Sequence, residues 1–90
     1  MVTVADVRQH NHIPEDVPDE KVANIISAAI ARARVAGVPE FQKNALYDQF
    51  IKDLAGYYYD TRAMEAADDK ASERMINTYV LSLRFAEEEV

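Results

Sequence analysis

The side chains best suited to chemistry in this chain are His10 and His12, with Asp6 and Glu15 to either side of them. Imidazole and carboxylate together suit zinc or nickel, so the four could be drawn as a metal site. The spacing argues against it. Residues i and i+2 point to different sides of a helix, so both rings could converge only from non-helical backbone. The plainer reading is a pair of solvated loop histidines. Asp68 with Asp69, and the run Glu87 to Glu89, lack the burial signature that would raise a carboxyl pKa for general acid work. They read as a solvated loop and a charged tail. There is no glycine-rich phosphate loop, no His-Glu-x-x-His and no nucleophile elbow, and two glycines leave little scope for one. The expectation is a protein that is not an enzyme, with no catalytic, cofactor-binding or metal residues and no cofactor.

What remains for function is apolar. Tyr57, Tyr58 and Tyr59 are consecutive and span about 200° of a helix, so one ring must leave the core face. That ring is Tyr59, either lying across a neighbouring helix with its hydroxyl in water or anchoring a protein interface, where tyrosine is enriched. Leu81 and Phe85 stand i, i+4 to each other on the side opposite Ile76 and Val80. Ala28, Ala31 and Val35 form a strip of small residues outside the core arc of their helix. Several off-face apolar residues on different helices suggest patches meant for other subunits, so these six are the expected interface residues.

The chain that must position them has 90 residues, 16 acidic against 10 basic side chains, a net charge of -6, and no cysteine or tryptophan. That is one domain, residues 1–90, since domains typically run to roughly 100 residues or more. Its 49% hydrophobic fraction includes 14 alanines against four leucines, so the core is thin and oligomerisation is a plausible source of further stability. Zero cysteines exclude disulfides and thiolate chemistry. The acid excess disfavours gripping a nucleic-acid backbone, with Arg32 and Arg34 the nearest thing to a basic cluster. The charge-free window that opens at Val22 stops at Arg32, too short for a bilayer, and no basic-then-apolar leader opens the chain. A soluble chain made in the cytoplasm, with no membrane partner, is expected.

Punctuation divides the chain into four helices and no strands, an all-α bundle. Thr3 and Asp6 form a capping-box variant before a short helix from Val4 to His10, closed by Asn11 and Pro14. Asp16-Val17-Pro18-Asp19-Glu20 supplies an N-cap candidate, a proline and first-turn acids for a second helix that stops at Gly37 and Pro39. Val22, Ile25, Ile26, Ala29, Ile30, Ala33 and Ala36 share an arc of roughly 140° on it. The third helix is expected from Pro39 or Glu40 to Arg62, with Leu46, Tyr47, Phe50, Ile51, Leu54, Tyr57 and Tyr58 inward. Gly56, on its far side, costs about 1 kcal/mol against alanine, which points to a close helix approach or a slight bend. After a polar connector, Ser72 should cap a last helix with Met75, Ile76, Tyr79, Val80 and Leu83 on its inner face.

This order of features resembles the head-tail connector, or head-completion adaptor, family of tailed bacteriophages and prophages. Val2-Thr3-Val4-Ala5-Asp6-Val7-Arg8 is similar to that family's opening short helix, Ile/Val-Thr-x-x-Asp/Glu-hydrophobic-Lys/Arg. Ile13 to Glu20 resembles its acidic turn, and Ser27-Ala28-Ala29-Ile30 its alanine-rich helix. Tyr59-Asp60-Thr61-Arg62 resembles a helix end of the form Tyr-Asp/Glu-Asn-Arg, with Thr61 where asparagine is commoner. Met75 to Phe85 resembles the closing apolar helix, so the likeness covers nearly the whole chain.

The resemblance implies a non-catalytic virion subunit that assembles in the host cytoplasm into a ring, usually of twelve. Its partners would be copies of itself, the portal protein, a head-closure or tail component, and double-stranded DNA passing through without specific binding. Leftover apolar positions would serve a ring contact between unlike patches, and a negative wall gives sliding DNA no counterion-release gain. Glu65, Asp68 and Asp69 are the acids expected to face that channel. The competing expectation is a small helical regulatory or adaptor module that binds a host or phage protein through the same apolar residues.

Overall fold

A computed structural model of the chain describes residues 1–61 and 70–87, and its local geometry follows from a few polar side chains. Helix α1 (Val4–Asn11) opens with Thr3 in extended conformation. The Thr3 Oγ1 accepts the Asp6 N–H at 3.1 Å, and the Asp6 carboxylate accepts the Thr3 N–H at 2.9 Å. Those hydrogen bonds, the one from the Thr3 backbone first, hold the Asp6 carboxyl below its ordinary value. The helix ends at His12, which takes a left-handed φ of 54°.

Helix α2 (Asp19–Val35) starts differently from the expectation for Asp16. Pro18 occupies the N-cap position, no side chain caps it, and the first-turn acids Asp19 and Glu20 face the helix dipole. Its end is a Schellman motif: the Gly37 N–H donates to the Arg34 carbonyl and the Val38 N–H to the Ala33 carbonyl, both at 3.0 Å. Gly37 has a φ of 94°, which a side chain would strain.

Helix α3 (Ala45–Thr61) begins later than the expected Pro39 or Glu40. Asn44 decides this, because its Oδ1 accepts the Tyr47 N–H at 2.9 Å and replaces the preceding turn as the cap. The loop before it is still part of the core, with Phe41 buried and edge-on to Tyr47 at 5.5 Å. Helix α4 (Lys70–Leu83) begins ahead of Ser72, so Ser72 is not its cap. Among the described residues there is no strand, and no helix is long and apolar enough to cross a membrane.

All three other helices pack on α3. The N-terminal amine bonds the Gln42 carbonyl at 2.8 Å, while Asn11, at the other end of α1, bonds the Lys52 carbonyl at 3.1 Å. Hence α1 runs parallel to α3. Helices α2 and α4 run antiparallel to it. Phe50 stacks on Tyr79 of α4 at 4.9 Å, and the Asn44 amide holds the Glu87 carbonyl at 3.0 Å. Phe50, Ile51 and Leu54 are completely buried at the centre, and Val22, Ala29 and Leu83 close over them. Ile30, Ala36 and Tyr57, assigned to the core by periodicity, are only half-buried, and Leu46 is exposed in the first turn of α3.

Gly56 is the close approach between α1 and α3. A Cβ there would lie 2.9 Å from the Asn11 Nδ2 and closer still to Cγ and Oδ1. Asn11 cannot yield cheaply, because the same Nδ2 donates to both the Val7 and Lys52 carbonyls. Gly56→Ala should therefore destabilise the protein by about 1–3 kcal/mol through overpacking, against the gain of about 1 kcal/mol expected from helix propensity alone. In an Asn11→Ala background the same change should cost little or stabilise. Urea denaturation of the four proteins measures the coupling.

Candidate functional site

Two features could carry function: a partly exposed polar cluster that joins α1, α3 and α4, and a groove between α2 and α4. The cluster is built on Asp53, placed by the middle of α3. Its Oδ1 takes the His10 Nε2 at 2.8 Å and the Gln49 Nε2 at 3.0 Å, and its Oδ2 accepts the Tyr79 hydroxyl at 2.7 Å. Gln49 and Asp53 are one helical turn apart, while His10 comes from α1 and Tyr79 from α4. Burial pushes the Asp53 carboxyl up, but the bonds from Tyr79, His10 and Gln49, with the His10 charge, outweigh it and hold the carboxyl low. Burial first, then the bond to Asp53, pushes the Tyr79 hydroxyl up to about 12.

This is a clasp between helices, not an acid-base pair. The carboxylate is held ionised with its oxygens occupied, and the Tyr79 phenol is held neutral at physiological pH. Tyr47, with its hydroxyl buried, is likewise pushed up to about 12, by burial and then the Glu40 charge. His10 is therefore no free loop side chain. His12 is exposed, and among the described residues no group of three or more His, Cys, Asp or Glu could hold a metal.

The groove lies between α2 and α4, which both pack on α3. It has a volume of about 420 Å³ and is lined by Ala36, Ile76 and Val80 with Arg32, Arg84, Glu73 and Asn77 around them. The Arg84 guanidinium lies against Gly37, where a Cβ would stand 3.2 Å from Nη2. Among the described residues the most exposed large apolar side chains are Val35 at 79%, Leu81 at 83% and Phe85 at 85%. Val35 is the last residue of α2, Leu81 lies in the last turn of α4 and Phe85 two residues beyond that helix, and the Gly37–Arg84 contact puts the two helix ends at the same end of the bundle.

Of the expected interface residues, Val35, Leu81 and Phe85 are four-fifths exposed and Ala31 is exposed on α2. Ala28 and Tyr59 are half-buried and packed against the core. Glu65, Asp68 and Asp69 lie outside the described residues. Sequence reasoning missed the Asp53 cluster, although the signal existed: a core-facing Tyr79 needs a partner for its hydroxyl, and Gln49 and Asp53 have helical spacing.

Comparison with known proteins returns no matching family model, no matching curated protein and no matching solved structure.

Asp53→Asn should destabilise the protein by about 1–3 kcal/mol at neutral pH, through weakened charged hydrogen bonds to three helices. Because the folded carboxyl lies below its ordinary value, its stabilisation is present above roughly pH 4. It is lost as the pH falls through the depressed value. Thermal melts of the two proteins should therefore converge in acid, and a gap that widens in acid would show that the bonds prefer the protonated form.

Proposed function

We propose that the chain is a structural subunit of a phage or prophage head-tail connector, forming a ring that joins the portal vertex to the head-closure and tail components. The observation that carries this reading is the position of Val35, Leu81 and Phe85, which the fold leaves four-fifths exposed at one end although its core is short of large apolar residues. A small chain that spends three such side chains outside gains by covering them with another protein. The order of a capped short helix, an acidic turn, an alanine-rich helix and a closing apolar helix supports the same reading by resemblance. Thr3, Asp6, Asn11, Asn44 and Asp53 serve as caps and clasps, which fits a structural subunit.

In this reading the net charge of -6 suits a conduit, because a negative wall offers DNA phosphates no counterions to release. Glu65, Asp68 and Asp69 are the proposed lining. The α2/α4 groove also favours a second reading, an adaptor that accepts a helix of a host or phage protein. The two differ in stoichiometry: a connector forms one large closed oligomer, alone or on a portal ring, whereas an adaptor forms a one-to-one complex.

Leu81→Asp and Phe85→Asp should leave the isolated subunit within about 0.5 kcal/mol of its original stability, as exposed sites do. Each should weaken assembly by tenfold or more, the loss typical of an interface anchor. Sedimentation over a concentration series measures the assembly, and urea denaturation measures the subunit. Unfolding of the isolated variants would mean that these side chains belong to the core. Retardation of DNA by the assembled ring at about 0.15 M salt would contradict a non-adhesive channel.

A further inference from the structure

The groove between α2 and α4 has unspent charge. Arg34 is paired with Glu40 at 2.9 Å. Arg32 and Arg84 line the groove and have no ion pair or side-chain hydrogen bond among the described residues. Ala36, Ile76 and Val80 line the same groove, with Asn77 and one carboxylate, Glu73. Such a surface fits a segment that carries carboxylates on a compact apolar body.

Among the described residues such a segment stands at the opposite end of α2. Glu15 and Asp16 occupy the corners of a turn closed by the Val17 N–H on the Pro14 carbonyl at 3.2 Å, with exposed Pro14 and Pro18 flanking them. Arg8 holds this turn rigid. Its guanidinium donates to the Pro14 carbonyl at 3.0 Å, to the Val17 carbonyl and to the Asp19 carboxylate at 2.7 Å. Asp19 is thereby neutralised, while Glu15 and Asp16 are exposed and have no ion pair among the described residues. Two prolines and the Arg8 clamp remove most of the ordering cost of a contact made there.

We propose that the α2/α4 groove receives the 14–18 turn of a second copy of this chain, with Arg32 and Arg84 taking Glu15 and Asp16. Ala36, Ile76 and Val80 receive the two prolines. The choice of a second copy rests on the connector reading; the choice of surfaces rests on the charges and exposures above. One copy cannot satisfy itself, because the turn and the groove are about 20–25 Å apart along α2. The contact joins unlike patches, so it propagates from copy to copy and closes into a ring or runs on as a chain.

A charge exchange tests the contact. One full-length variant carries Arg32→Glu and Arg84→Glu, the other Glu15→Arg and Asp16→Arg; circular dichroism checks that both retain the helical spectrum. In sedimentation the original protein should self-associate and each variant alone should do so at least tenfold more weakly. Their equimolar mixture should recover to within a few-fold of the original, because acidic grooves then meet basic turns and basic grooves meet acidic turns. Self-association that ignores both exchanges would overturn this contact and leave the connector reading standing. A mixture that does not recover, or an original protein that stays monomeric throughout because its groove serves another protein's segment, would also overturn it. Recovery as open chains would support the contact while counting against the connector, and recovery as closed rings would support both.

Discussion

The structure depends on the crowding around α3. A chain of 90 residues with few large apolar side chains can fill only one centre, and α3 supplies it through Phe50, Ile51 and Leu54, each completely buried. Helices α1, α2 and α4 all pack against this one element, so each must meet it on a different side. That requirement explains features that look costly in isolation. Gly56 weakens α3 locally but admits Asn11, whose amide bridges the backbones of α1 and α3. Asp53 brings a carboxylate into partial burial but collects His10 and Tyr79 from α1 and α4.

The same crowding determines what is left outside. With α3 occupied on three sides, α2 and α4 have an open groove between them, and Val35, Leu81 and Phe85 at their ends are exposed among the described residues. The charge distribution follows the fold. Arg32, Arg34 and Arg84 gather where α2 and α4 end, and Glu15, Asp16, Asp19 and Glu20 gather where α2 begins. Basic helix ends and acidic helix starts are individually favoured by the helix dipole.

Much of the fold was legible in the sequence because its signals are local. The Thr3–Asp6 box, the Gly37 stop and the inner faces of α2 and α3 each depend on a few neighbouring residues, and each stands as read apart from Ile30, Ala36, Tyr57 and Leu46 at the margins. The start of α3 was not legible, because Asn44 wins a competition that the apolar pattern ignores, and Phe41 is buried from a loop. The site divided in the same way. Val35, Leu81 and Phe85 stood out because they lie off the core arcs of their own helices. Tyr59 also lies off its arc, yet neighbouring helices half-cover it, which a helical wheel cannot show. The Asp53 cluster needs α1, α3 and α4 to be assembled before its residues meet.

A head-tail connector requires that all copies occupy equivalent positions around an axis, with room for DNA along it. The most direct measurement is the native mass of the chain assembled on a portal ring, imaged alongside by negative stain. The account predicts one discrete stoichiometry, with the chain forming a closed ring on a single face of the portal and an open channel at its centre. One copy bound to another protein, or no association with the portal at any ratio, would contradict it.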